Sequence, residues 1–286
     1  MTFRACHVCG ETERLRRRFR RSGYTIVRCG TCGLDYTNEI PSEGELARIY
    51  DAAFFAVGRK FADESDNVGV ANAKQRIARI LALPGVGRGR WLDVGCATGD
   101  FLAAAAAAVR ELKGVELSAF AASRARERGL DVATSGFEDA PVETGASDVV
   151  SMWDYLEHTA DPAASLRKAF DALKPGGYLV ISTPDAGSLM ARLMGRFWHL
   201  MIPPRHLYFF TDDTLIRLLQ QAGFRMVAIE RPGKRVPLDF AAWKVAAVAA
   251  PPLAPRVLAL ATRLGLGRLR PSINLLDIIT VYARKP

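Results

Sequence analysis

Trp91-Leu-Asp-Val-Gly-Cys-Ala-Thr-Gly-Asp-Phe101 is the stretch on which the fold turns. A short apolar run ends at Asp93, a turn carries Gly95 and Gly99, and an alanine-rich helix begins near Asp100. Strand, glycine turn and helix in that order are how an α/β sheet holds the nucleoside end of a cofactor. Glycine serves where the backbone takes positive φ or approaches a ligand, because a Cβ would collide.

Working outward, the pattern predicts strands Trp91–Val94, Leu112–Leu117, Asp131–Thr134, Asp148–Trp153 and Tyr178–Thr183. Helices Asp100–Arg110, Ala119–Arg128 and Pro162–Leu173 are predicted between them. Such alternation implies a mostly parallel sheet covered on both faces. Upstream, Ala73, Ile77, Ile80 and Leu81 share a helical face, and Pro84-Gly85 ends it. Downstream come a helix at Thr211, a strand Phe224–Glu230, one or two amphipathic helices within Pro232–Pro271, and a last strand Asp277–Ala283.

The turn does not suit a dinucleotide. That fingerprint needs Gly-x-Gly-x-x-Gly so that backbone can approach a pyrophosphate. Here the spacing is Gly95-x-x-x-Gly99, and Asp93 would repel the phosphates. No Walker A loop is present either. An acidic residue at the turn suits a cofactor with a cationic amino-acid tail.

Asp93-Val-Gly95-Cys96-Ala97-Thr98-Gly99 resembles the first motif of class I S-adenosylmethionine-dependent methyltransferases, with Ala97 in place of the middle glycine. Other stretches resemble the family in order: Glu116 with Leu117 at the second strand's end, Phe137-Glu138 after the third, Asp148–His158 at the fourth, and Lys174-Pro-Gly-Gly before the fifth. The resemblance implies that Asp93, Gly95, Cys96, Ala97, Gly99, Glu116, Leu117, Phe137, Glu138 and Trp153 bind S-adenosylmethionine. In that family Glu116's position holds the ribose hydroxyls, Phe137-Glu138 lie by the adenine and Trp153 by the methionine. It also implies a Rossmann-like seven-stranded sheet whose antiparallel last strand, Asp277–Ala283, sits between the fifth and sixth.

Cys6-x-x-Cys9 and Cys29-x-x-Cys32 form two knuckles, each followed by glycine (Gly10, Gly33). Four thiolates at this spacing suit tetrahedral Zn²⁺ in a structural site, so residues 1–40 are expected to be a zinc ribbon. No apolar leader precedes them, which predicts a cytoplasmic protein and metal rather than disulfides. The expected organisation is then a connector or lid at 41–72, a core at 73–231, a helical insertion at 232–271 and the final strand within 272–286. Ser42 and Glu45 read as a capping box opening a helix in the connector.

The ribbon, the core and Arg205-His-Leu-Tyr-Phe-Phe-Thr together resemble a methyltransferase subgroup acting on sugars, lipids or natural-product intermediates, so the expected acceptor is a small molecule. Methyl transfer to a hydroxyl or carbon acid needs a proton acceptor, for which histidine is suited near pH 7. His206, then His199, then His158 are the candidates: the first two lie in the segment after the fifth strand, which in this fold faces the acceptor pocket, and His158 closes the fourth-strand motif. The chain's net charge of +9 and Arg14-Leu-Arg-Arg-Arg-Phe-Arg-Arg21 leave room for nucleic acid, hence RNA methylation, as the second reading. A non-catalytic binding module is the third. Residues 238–270 could cap the acceptor pocket or touch a membrane surface.

Overall fold

The computed structural model describes residues 3–42, 45, 49 and 68–286. Strands β1 (Leu15–Arg21), β2 (Tyr24–Cys29) and β3 (Asp35–Thr37) come first, followed by helix α1 (Val68–Leu81). The core then runs β4 (Arg90–Val94), α2 (Asp100–Ala105), β5 (Glu111–Glu116), α3 (Ala119–Glu127) and β6 (Val132–Thr134). It continues with β7 (Ser147–Trp153), α4 (Pro162–Ala172), β8 (Leu173–Pro184), α5 (Leu189–Met194), β9 (Tyr208–Phe209), α6 (Asp212–Gln221) and β10 (Arg225–Glu230). A small hairpin, β11 (Lys234–Arg235) with β12 (Ser272–Ile273), brackets helices α7 (Leu238–Ala249) and α8 (Ala254–Arg263), and β13 (Ile278–Arg284) closes the chain.

The main sheet has seven strands in the order β10-β13-β8-β7-β4-β5-β6. β13 runs antiparallel to both neighbours, as the resemblance implies, while β8, β7, β4, β5 and β6 are parallel. Strand alternation sends Leu92, Val94, Val150, Met152, Leu179 and Ile181 to one buried layer. Trp91, Val149, Tyr178, Val180 and Tyr282 go to the other, against α1 and Phe101. Both faces are therefore covered, and ligand access is left to the carboxyl ends of the strands.

Two departures from the expected elements have physical causes. The alanine helix ends at Ala105 rather than Arg110. Arg110 and Glu111 donate their N–H groups to Arg88 and Gly89, so sheet pairing overrides helix propensity there. Lys174-Pro-Gly-Gly177 lies within β8, because Leu173 already pairs with Ser147. Elsewhere local signals set the helix starts. Asp161 caps α4, accepting from Ala163 and Ala164 with Pro162 in the first turn. Thr211 and Thr214 cap α6 reciprocally.

The N-terminal strands do not form a closed unit. β3 pairs with β9 (Asp35↔Phe209, Tyr36↔Tyr208), which makes a four-stranded sheet β1-β2-β3-β9. Arg4 reinforces the joint by donating to the Tyr208 hydroxyl at 2.7 Å and to the Thr37 carbonyl. Ser42 and Glu45 are hydrogen-bonded as a capping box. Tyr50, Phe54, Phe55 and Phe61 of the expected lid lie outside the described residues. Among the described residues no helix is long and apolar enough to cross a membrane.

Candidate functional site

The turn after β4 is built from three left-handed residues, Gly95 (φ 69°), Ala97 (φ 49°) and Gly99 (φ 84°). A Cβ on Gly95 would lie 2.8 Å from Tyr155 Cδ2, and one on Gly99 would lie 2.3 Å from Leu130 Cδ1. Both positions thus need glycine for space and for conformation. Ala97 occupies the same region with a methyl group, at a cost of roughly 1–2 kcal/mol. Ala97→Gly is therefore expected to raise stability by about 0.5–1 kcal/mol after allowing for the looser unfolded chain. Thermal denaturation of the two proteins checks this.

Glu116 ends β5 and closes the turn from below. Its Oε2 accepts the Ala97 N–H at 2.9 Å and its Oε1 accepts the Ser118 N–H at 2.8 Å. Burial raises its pKa against these backbone donors. Asp93 is buried on β4, opposite Ser151, whose hydroxyl donates to it at 2.6 Å. Burial pushes the Asp93 carboxyl up to about 7, against the Ser151 hydrogen bond and the Arg76 charge. The folded chain thus holds a proton that the unfolded chain has released. That contribution is full below the ordinary carboxyl value of 3.8 and is lost as pH rises through 7. Asp93→Asn is expected to melt above the parent protein at pH 8, with a smaller gap at pH 5, as differential scanning calorimetry at both values would measure.

The other candidate residues divide. Leu117 is 57% exposed beside Glu116. Phe137 is buried in the core, edge-on to Tyr155, and Glu138 is exposed and accepts from the Ser165 hydroxyl. Trp153 ends β7 against Phe101, and its indole N–H is buried without a hydrogen-bond partner. Cys96 is buried with its sulfur against Gly114, and burial raises its thiol pKa, so it fills space rather than acting as a nucleophile. Tyr155 and Arg76 join the candidate residues around the turn. Arg76 of α1 stacks 4.2 Å over Trp153. Arg76 lies in no motif and Tyr155 only within the stretch Asp148–His158, so the place of each side chain follows from packing.

His158 and His206 meet after β7, with ring centroids 4.8 Å apart. His158 Nδ1 donates to the Arg205 carbonyl and His206 Nδ1 to the Leu200 carbonyl, both at 2.8 Å. Burial pulls their pKa values down to about 4 and about 3. Glu157 is 1% exposed. Its Oε2 accepts from Thr183, its Oε1 has no hydrogen-bond partner, and burial with nearby Asp154 pushes it up to about 8. Burial would raise Asp154 too, but Lys234 (2.9 Å) and Arg76 hold it below the ordinary carboxylate range. His199 lies elsewhere, with Nε2 3.5 Å from Asp277 Oδ2 and next to Trp198.

Cys6, Cys9, Cys29 and Cys32 converge with all four sulfurs within 4.8 Å of one another. Cys6–Cys32 and Cys9–Cys29 stand at 3.5 Å, far beyond a disulfide bond. Gly10 and Gly33 take positive φ with open space around them, so conformation alone requires glycine there. His7 turns away from the sulfurs to Asp161, 3.7 Å distant. In the arginine hairpin, Arg18 and Arg28 both bind buried Asp35, Arg20 and Arg21 donate to carbonyls, and Phe19 packs beside Ile26 and Trp198.

Residues 69–229 match the family described as Methyltransferase domain. A curated relative, the ubiquinone biosynthesis O-methyltransferase of Ralstonia nicotianae, is 30% identical over 160 residues, covering 53% of this chain and 66% of that protein. The match thus spans less than two thirds of that relative's length. A solved S-adenosylmethionine-dependent methyltransferase of Thermotoga maritima, titled a possible histamine N-methyltransferase, superposes with TM-score 0.54 at 20% identity, over 86% of this chain and 100% of that one. Another, from Archaeoglobus fulgidus, gives 0.55 at 22%, over 82% and 100%. The family match covers more than half of the sequence, and the sheet order agrees with it: this chain belongs to the methyltransferase domain family.

Proposed function

We propose that the chain transfers a methyl group from S-adenosylmethionine to a small-molecule acceptor, and that Cys6, Cys9, Cys29 and Cys32 hold a structural Zn²⁺. The turn carries this reading: three left-handed residues, two of them glycines with no room for a Cβ, with Glu116 fixed beneath them by two backbone donors. These residues fit the cofactor. Each Glu116 oxygen accepts one N–H and keeps a second lone pair, which suits the two hydroxyls of a ribose. Leu117 offers an exposed apolar surface to a base, and the orphaned Trp153 N–H supplies a donor beside the turn. Asp93 and Glu116 suit a cationic cofactor rather than a pyrophosphate. The four sulfurs likewise fit a tetrahedral Zn²⁺, whose bonds of about 2.3 Å bring sulfurs to about 3.8 Å.

When bound, S-adenosylmethionine supplies a methyl group activated by positively charged sulfur. The protein must align the acceptor, exclude water and manage its proton. His158 and His206 stay uncharged at neutral pH, so each offers a lone pair to an acceptor hydroxyl. His199 is the third candidate, held by Asp277. The segment 232–273 fits a cap over this region: β11 sends Lys234 to Asp154, and the charge of Lys244 on α7 acts on His199. An oxygen acceptor is supported by the O-methyltransferases among the relatives. A thiolate zinc site suits a reducing compartment such as the cytoplasm.

Calorimetry with S-adenosylmethionine and with NAD tests the cofactor. Micromolar binding of the first and none of the second is expected, and a folded chain that ignores the first would overturn the reading. Labelled-methyl transfer to a small-molecule extract, set against total RNA, then tests the acceptor class.

A further inference from the structure

We propose that Glu157, His158 and His206 form a second metal site, which takes one divalent cation through a carboxylate oxygen and two imidazole nitrogens. Glu157 and His158 are adjacent, His206 comes from a later segment, and backbone bonds hold the two segments together. Leu207 and Tyr208 donate their N–H groups to the Glu157 carbonyl at 2.7 and 3.3 Å, and the Thr37 hydroxyl donates to the His206 carbonyl. One ligand atom from each residue lies within 4.8 Å of the other two, and His158 Nε2 is 3.8 Å from Glu157 Oε1.

Three features make this a built site rather than a chance cluster. The first is Glu157 Oε1, which is fully buried with no hydrogen-bond partner while Oε2 is satisfied by Thr183. A buried carboxyl oxygen without a partner is costly, and a cation taking the place of the proton is what would compensate it. The second is the imidazole tautomers. A backbone carbonyl only accepts, so Nδ1 carries the proton on both rings and Nε2 carries the lone pair. Anchoring a ring by Nδ1–H to a carbonyl is the usual support for a histidine that ligates through Nε2. The third is spacing. Metal bonds of about 2.0–2.2 Å place ligand atoms about 3–3.5 Å apart, within reach of small side-chain rotations.

The ligand set selects the cation. One oxygen and two imidazole nitrogens suit a first-row divalent ion such as Mn²⁺ or Zn²⁺, and differ from the all-sulfur Cys₄ site. Three protein ligands leave coordination positions open. On the methyl-transfer reading above, the bound cation would take both imidazole lone pairs and would itself hold the acceptor oxygen at those positions. The binding of the cation itself does not depend on that reading.

The test uses the full chain, zinc-loaded at the cysteines and without S-adenosylmethionine. It is titrated with Mn²⁺ while electron paramagnetic resonance follows the free ion, since thiolates bind Mn²⁺ poorly. One ion per chain is expected, with affinity reduced at least tenfold in Glu157→Gln and in His206→Ala. Co²⁺ added to the same protein should give weak visible bands without further thiolate charge transfer. This second readout needs no variant to fold. Absence of Mn²⁺ binding by the parent chain, unchanged binding in both variants, or added Co²⁺ seen only on sulfur would overturn the proposal. Calorimetry with S-adenosylmethionine on the same preparation reports separately on methyl transfer.

Discussion

Glu116→Gln is expected to weaken S-adenosylmethionine binding by about ten- to hundredfold, because hydrogen bonds to a charged group contribute about 1.5–3 kcal/mol. Two effects add. Glutamine presents one acceptor oxygen in place of two, so the hydroxyl pair of a ribose loses one partner. Its amide nitrogen must then face either the Ala97 or the Ser118 N–H, each now bound to a carboxylate oxygen. Donor against donor loosens the turn at Ala97, which already sits in a costly conformation. Stability should move little, since the lost backbone bond is offset by no longer burying a charged group. Calorimetric affinity beside a thermal melt separates the two effects. Unchanged affinity would remove Glu116 from the cofactor site.

Cys29→Ser has the larger expected effect on the fold. Structural zinc contributes folding free energy outright, and a site reduced to three thiolates would lose much of it. A loss on the order of 5 kcal/mol is a large part of a domain's usual margin, and corresponds to a fall of roughly 10 °C or more in melting temperature. Cys29 ends β2, and β2 carries β3, which pairs with β9. The damage should therefore reach His206, whose carbonyl accepts from Thr37. Zinc content by atomic absorption should fall, and methyl transfer should drop further than S-adenosylmethionine affinity, because β4 and β5 do not pair with the N-terminal sheet. A variant that keeps its zinc and its melting temperature would contradict the Cys₄ assignment.

The sheet was legible because its information is local. Apolar runs, punctuating glycines and helix starts such as Thr211 each act within a few residues. Glu116 was legible because a strand's end is a fixed place in the fold. What escaped reading came from tertiary contact. Nothing in Arg76 or Tyr155 announces that both pack around the turn, since neither belongs to a periodic pattern. Phe137 carries an aromatic ring at the expected place, but its burial beneath Tyr155 depends on packing. Glu157 and His158 are adjacent in sequence, yet their relation to His206 arises from backbone bonds between loops. A dipeptide as short as Tyr208-Phe209 carries no strand periodicity of its own, so its pairing with β3 could not be read.

That pairing bears on how the chain is made. Thr37 and His206 are 169 residues apart, and Arg4 and Tyr208 are 204 apart. During synthesis the four cysteines and β1–β3 emerge early, but β3 lacks its partner until β9 emerges. Exposed edges invite pairing with other chains, and contacts this distant are slow to close. Cells producing the protein at high level should find its soluble yield set by the interval between those two strands, more than by the stability of either part.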